Sequence, residues 1–259
     1  MTIRDTAWPE GTPCWVDLGA DDPAKARAFY SALFGWDIEV GGPETGEYGM
    51  CQIGGKAVAG VMGKMSPDQP TVWTTYLACS DADATVDKIK NAGGQVLSEP
   101  MDVMDVGRLA IAADPGGAVF GIWQARAHLG FALANEPGSV TWNENFSRDF
   151  DGNKSFYRAA FGYGFTDMSN DQMQYATFEV EGQTAGGIGA MGDQFPAEVP
   201  AHWNTYFAVA DADATVAKAT ELGGRVTVPP MDMPFGRMAG LADDQGATFS
   251  IIQPGQTDG

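Results

Sequence analysis

Short stretches of alternating apolar and polar residues recur along this chain, broken by glycine and aspartate, with single amphipathic helices set between them. Cys14 to Gly19 reads as a strand. Asp22 then offers a capping carboxylate, and Pro23 suits a first helical turn, where its missing N–H is harmless. Ala26, Phe29, Tyr30 and Leu33 fall on one helical face, and Gly35 supplies the stop. Three β-rich stretches follow, Trp36 to Val40, Tyr48 to Ile53 and Ala57 to Met62. The same order then repeats: a strand from Trp73 to Cys79, a helix capped by Asp81 and ending at Gly93-Gly94, and strands at Gln95 to Leu97, Arg108 to Ala113 and Ala118 to Trp123. A linker from Ala125 to Ser139 leads to a restart at Val140, with a third helix opening on Asp151-Gly152-Asn153 and a loose tail from Gln253 to Gly259.

The pattern predicts an α+β fold of four tandem βαβββ modules. It divides into two domains, 11–126 and 138–253, joined by a linker over 127–137. The division is supported by an internal repeat. Trp73 to Asp87 reads WTTYLACSDADATVD and Trp203 to Ala217 reads WNTYFAVADADATVA, identical at 10 of 15 positions. Phe29-Tyr30 and Phe34-Gly35 return as Phe156-Tyr157 and Phe161-Gly162. Any site in one half therefore has a counterpart in the other, and positions that differ between copies point to chemistry.

The charge narrows the partners. A net charge of −19 and a pI near 4.2 repel phosphate backbones and anionic lipid. Cys14, Cys51 and Cys79 have no paired spacing, which suits a reduced compartment better than disulfides or zinc. No apolar run approaches the roughly 20 residues of a membrane helix, and the N-terminus lacks a signal-peptide pattern. The expectation is a cytoplasmic protein, a monomer or weak homodimer, with a small-molecule ligand and neither nucleic-acid nor membrane partners.

Strand, then D-x-x-x-A-x-x-FY-x-x-x-F-GW, a second strand with D-A-D-A, and G-R…DP-x-G-A together resemble the vicinal oxygen chelate superfamily. That group comprises glyoxalase I, extradiol dioxygenases and the bleomycin- and fosfomycin-resistance proteins. More narrowly, Gly11-Thr12-Pro13-Cys14-Trp15-Val16-Asp17-Leu18 and Asn135-Glu136-Pro137-Gly138-Ser139-Val140-Thr141-Trp142-Asn143-Glu144 resemble motifs of two-domain actinobacterial hydroxylase-like and 27-kDa antigen proteins. The resemblance covers residues 11 to 253. It implies glyoxalase-like domains with curved, cup-shaped sheets around a small ligand, and in many members a metal held by His, Gln or Glu. One fold here hosts many chemistries, so activity does not follow from it.

By the family's spacing, the first-strand ligand positions are Trp15 and Trp142. Those of the second and fourth modules are Thr74 and Asn204, and the last-strand positions are Gly121 and Ser250. None carries a standard ligand, and tryptophan and glycine side chains cannot coordinate a metal. The reading is therefore no metal and no cofactor. A shifted site from Glu144, His202 and Asn204 is the one alternative, since residues two apart on a strand share a face.

The remaining candidates are carboxylates and rings. Asp17 and Glu144 share the cup face with Trp15 and Trp142, where burial raises a carboxyl pKa toward the range of a general base. They are the candidate catalytic pair, with ion pairing or strand bonding as the structural alternative. Trp15, Thr74, Tyr76, Gly121, Trp123, Trp142, His202, Asn204, Tyr206 and Ser250 are the candidate ligand-binding residues, suited to a flat or apolar molecule. Trp73 and Trp203, one residue out of phase, are read as structural, as are Arg108 and Arg237 through pairing with Asp102 and Asp232.

Three functions fit. The first is a metal-independent glyoxalase- or bleomycin-resistance-like protein that binds a small, partly aromatic molecule, with isomerase- or lyase-type acid/base chemistry if it is an enzyme. The second is a metal-dependent glyoxalase or dioxygenase-type lyase or oxidoreductase. The third is a catalytically inert interaction protein. Whether cups form within halves or across them is open; cross-pairing would set Asp17 facing His202 and Asn204.

Overall fold

A computed structural model describes residues 2–171, 173–193 and 195–255. After a short strand β1 (Thr2–Ile3), the first module comprises β2 (Pro13–Ala20), α1 (Pro23–Phe34), β3 (Asp37–Val40), β4 (Gly49–Ile53) and β5 (Lys56–Gly63). The second has β6 (Val72–Ala78), α2 (Ala82–Asn91), β7 (Gln95–Val103), β8 (Gly107–Ala113) and β9 (Val119–Ala125). A two-residue strand β10 (Leu133–Ala134) in the linker pairs with β1. The third module is β11 (Val140–Ser147), α3 (Phe150–Phe161), β12 (Gly164–Asp167), β13 (Tyr175–Val180) and β14 (Gln183–Ala190). The fourth is β15 (His202–Ala208), α4 (Ala212–Glu221), β16 (Arg225–Met233), β17 (Gly236–Ala242) and β18 (Thr248–Pro254).

Each half makes one curved sheet of eight strands. The orders are β3-β4-β5-β2-β6-β9-β8-β7 and β12-β13-β14-β11-β15-β18-β17-β16. The first strands of paired modules lie antiparallel at the centre, with Asp17 opposite Thr74 and Glu144 opposite Asn204. The cups are thus built within halves. Asp17 faces Thr74, and cross-pairing around His202 and Asn204 does not occur.

The packing, by contrast, crosses the halves. One core cluster joins the first module to the fourth, the other joins the second to the third. The helices carry this contact, α1 against α4 and α2 against α3. Phe34 of α1 packs on Phe207 of β15 with ring centroids 4.9 Å apart. Tyr30 accepts a hydrogen bond from Trp73 Nε1 at 3.0 Å and donates to the Asp243 carboxylate of the other half, also at 3.0 Å. Tyr157 repeats this with Trp203 at 2.9 Å and Asp114 at 3.2 Å. Trp73 and Trp203 are structural for this reason: they face away from the cups and fix the two halves to each other. A buried hydroxyl with both a donor and an acceptor is satisfied, and its loss would leave the carboxylate one donor short and the indole N–H without an acceptor.

Local chemistry explains the helix ends. Asp22 caps α1 through Lys25 N, Pro23 takes the first position, and Gly35 closes the helix at φ 73°. The third helix starts earlier than expected, because Asp149, not Asp151, is the cap. Its Oδ1 accepts from Gly152 N at 2.9 Å, and a Cβ at Gly152 would overlap that carboxylate. Asn153 is drawn inward instead, to Asn145. The edge strand β7 also runs longer than expected, through Pro100, and its counterpart β16 runs through Pro229-Pro230. An edge tolerates the missing N–H groups, and the register shifts there. Gln253, expected in a loose tail, belongs to β18 and caps α4 by accepting from Ala212 N at 3.0 Å. The tail residues Gln256 to Gly259 lie outside the described residues.

Candidate functional site

On the concave face of each sheet a tryptophan, two tyrosines and a carboxylate meet. In the second cup, Trp142 Nε1 donates to the Tyr175 hydroxyl at 3.0 Å, and that hydroxyl donates to Glu144 Oε2 at 2.8 Å. Tyr206 donates to Glu144 Oε1 at 2.5 Å. Asn204, beside it on β15, donates to Ser250 Oγ at 3.0 Å. In the first cup Trp15 Nε1 donates to the Tyr48 hydroxyl at 2.8 Å, and Tyr76 donates to Asp17 Oδ1 at 3.2 Å. The Tyr48 and Tyr175 rings reach their places because Gly60 and Gly187 lack a Cβ that would overlap the hydroxyls.

Sequence reasoning missed Tyr48 and Tyr175. The signal was present: each follows its tryptophan by the same interval in both copies, as Asp17 and Glu144 do. Tyr48, just before β4, and Tyr175, at the start of β13, lie away from the first and last strands on which the family's ligand positions fall.

Burial sets the electrostatics. Asp17 is pushed up to about 7 by desolvation, opposed only by its bond from Tyr76. Glu144 is also raised by burial, against hydrogen bonds from Tyr206, Tyr175, Asn204 and Trp142 that favour the anion. The hydroxyls of Tyr76 and Tyr206 are raised well above the usual phenol value by burial and by the nearby carboxylate, so they remain donors.

The two cups differ in what lies over them. In the first, residues between β9 and β10 cross the mouth. The His128 ring stands edge-on to Trp15 at 4.4 Å, and the Phe131 ring lies 5.5 Å from Trp15. Trp123 Nε1 donates to His128 O at 2.8 Å, and Phe131 N donates to Cys14 O at 2.8 Å. Trp15, Tyr76 and Trp123 are consequently buried, while Thr74 is half-buried and Gly121 lies under the Tyr76 ring. In the second cup Trp142, Tyr175, Asn204 and Tyr206 are half-buried, and Ser250 is buried at the floor. Among the described residues no aromatic ring stacks on Trp142. His202 sits toward the rim, its Nδ1 2.9 Å from Pro200 O and its ring beside Phe146 and Phe195.

The superfamily's metal does not fit this donor set. Trp15 and Trp142 stand at ligand positions with their indole N–H groups donated to tyrosines, and Gly121 has no side chain. In the second cup both Glu144 oxygens accept from tyrosine hydroxyls, and His202 is engaged at the rim. Among the described residues no group of three or more His, Cys, Asp or Glu comes together in a metal-binding arrangement. Arg108 and Arg237 bind the helix aspartates Asp83 and Asp213 through two nitrogens each, and Asp102 and Asp232 through a third. They brace a hairpin against a helix and do not enter either cup. No helix among the described residues is long and apolar enough to cross a membrane.

The tandem cups define the class. The model of the Glyoxalase/Bleomycin resistance protein/Dioxygenase superfamily matches twice, over 14–122 and 127–251, and the chain belongs to this superfamily. Among its relatives is the Mycobacterium tuberculosis protein named "Putative glyoxylase CFP32", 43% identical across 97% of this chain and 98% of that one. The anthracycline biosynthesis protein DauV of Streptomyces sp. (strain C5) is 36% identical across 96% and 95%. Among solved structures, the Mn(II)-bound glyoxalase of Novosphingobium aromaticivorans superposes with a TM-score of 0.66 at 16% identity, covering 95% of this chain and 83% of that one. A 4-hydroxymandelate synthase mutant from Streptomyces coelicolor gives 0.60 at 16%, covering 97% and 95%. At these identities the structural likeness shows the fold.

Proposed function

We propose that this chain is a metal-independent member of the superfamily that binds a small, partly aromatic or apolar molecule in a cup, with Glu144 as the acid/base group. The observation that carries the proposal is the buried Glu144 carboxylate, held between Tyr175 and Tyr206 at 2.8 and 2.5 Å beside the half-buried face of Trp142. Two O–H donors keep the anion oriented, while burial makes it a stronger base than a solvated carboxylate. Ionised Glu144 takes a proton from an O–H or acidic C–H of the ligand. Trp142 supplies a flat apolar wall, and Asn204 and Ser250 supply polar atoms at the floor. Asp17 is the corresponding group of the first cup, beside rings of the chain itself. Kinship with proteins named for anthracycline biosynthesis supports a planar polycyclic ligand.

The test uses 2-naphthol, a neutral planar hydroxyarene, as probe. The wild type binds it more tightly as pH rises through the raised Glu144 pKa, and chelation leaves the affinity unchanged. Glu144→Gln weakens binding about tenfold, about 1.4 kcal/mol, and abolishes the pH dependence. Equal binding and an equal pH profile in Glu144→Gln would refute the role of the carboxylate. Loss of binding on chelation would refute metal independence.

A further inference from the structure

The two cups share one floor, yet among the described residues only the first has rings of the chain packed on its tryptophan. That occupant is informative because the floors correspond residue by residue: Trp15 with Trp142, Tyr48 with Tyr175, Asp17 with Glu144, Tyr76 with Tyr206. From Arg126 onward the chain turns over the first cup. Arg126 N and His128 N both donate to Val106 O in the β7–β8 turn, at 3.1 and 3.0 Å. At Gly130 the backbone presses against Cys14 O so closely that a Cβ would overlap it, and φ there is 94°. The His128 and Phe131 rings then lie on Trp15, with His128 also 5.5 Å from Trp123. Burial lowers the His128 pKa to about 4, so its ring is neutral at physiological pH, and its Nε2 has no hydrogen-bond partner.

The second copy begins the same path. Gly255 N donates to Phe235 O at 3.1 Å, the counterpart of the Arg126 bond. Around this cup lies the apolar surface that the occupant covers in the first. Val103 and Val106 of the first copy pack onto the core, whereas Met233 and Phe235 at the equivalent turn are 39% and 68% exposed. Met231, directly opposite Met238 across β16 and β17, is exposed as well, as its counterpart Met101 is in the first copy.

Resting on the binding reading above, we infer that the His128–Phe131 segment is an intramolecular stand-in for the ligand, so that each chain takes one neutral, two-ring aromatic molecule, and takes it in the second cup. Differences between the floors orient that molecule. Where Trp123 donates to the occupant's carbonyl, the second cup has Ile252. The ligand's end over β16–β18 is therefore apolar and lies on Ile252, Met238 and Met231. Where Gly121 lets the Tyr76 ring lie down on β9, Ser250 carries a Cβ, and Tyr206 cannot take that position. The Ser250 hydroxyl and the Asn204 amide are the polar groups offered to the ligand's polar edge, a hydroxyl or carbonyl. The ligand class is a neutral hydroxy- or keto-substituted fused arene.

Calorimetric titration with 2-naphthol tests this. The wild type takes one equivalent. His128→Ala combined with Phe131→Ala empties the first cup and raises the stoichiometry to two. Ile252→Trp, which places in the second cup the indole that β9 carries in the first, weakens the single wild-type site at least tenfold, so the test does not depend on the double variant folding. Two equivalents on wild type would overturn the inference alone. So would an unplugged, cooperatively folded variant that still takes one, or unchanged binding in Ile252→Trp. No binding to the wild type would sink the binding reading and this inference together.

Discussion

Replacing Asp17 with Asn should change how stability depends on pH more than it changes stability at any single pH. Asp17 is buried on the floor of the first cup with one hydrogen bond, from Tyr76 at 3.2 Å, and desolvation moves its pKa from 3.8 to about 7. The folded state thus binds this proton more tightly than the unfolded chain. Stability from this group is full below about 4 and is lost as pH rises to about 7. Three pH units correspond to about 4 kcal/mol, of which about 3 kcal/mol falls between pH 5 and 8. Asn is nearly isosteric, still accepts from Tyr76 and does not titrate. Urea unfolding of wild type and Asp17→Asn across pH 5–8 isolates the effect, because Glu144, Asp114 and Asp243, also raised by burial, are common to both proteins and cancel. The variant should gain on wild type by about 3 kcal/mol between the two ends of that range. Parallel curves, agreeing within about 1 kcal/mol, would mean that Asp17 is solvated or paired in solution and would refute the account of its burial.

Other substitutions test the contacts that frame the cups. Tyr30→Phe leaves Asp243 short of a donor at the contact between halves and should cost about 1–3 kcal/mol in urea unfolding at pH 7. Phe131→Ala opens a cavity over Trp15, with an expected loss of about 3–5 kcal/mol and a red shift in tryptophan emission. Gly121→Ser places a Cβ inside the Tyr76 ring and should cost about 1–3 kcal/mol by overpacking, seen as a lowered Tm.

Much of the architecture could be read from residues in sequence. Asp22, Asp81 and Asp211 announce their helices because a capping carboxylate acts only on N–H groups three residues away. The repeat made two domains plain, and phase along the strand separated Trp73 and Trp203 from Trp15 and Trp142. Asp149 was harder to see: its role depends on Gly152 admitting the carboxylate, a steric fact rather than a spacing. The pairing of modules was open because hydrogen bonding and packing follow different partners, sheets within halves and helices across them. The occupant of the first cup was invisible for a similar reason. Ala125 to Ser139 has the composition of a linker, and only the fold carries His128 and Phe131 onto Trp15. Tyr48 and Tyr175 show the opposite case: the repeat carries them at one interval after Trp15 and Trp142, but they stand on none of the family's metal positions.

The central claim is that two equivalent floors have unequal roles, the first occupied by the chain and the second free to bind. The indole N–H resonances of the seven tryptophans, assigned by Trp→Phe variants and followed during 2-naphthol titration, test it most directly. The account predicts that the Trp142 resonance shifts and saturates at one equivalent while Trp15 and Trp123 stay fixed. Movement of Trp15 or Trp123 with Trp142 unchanged would contradict it.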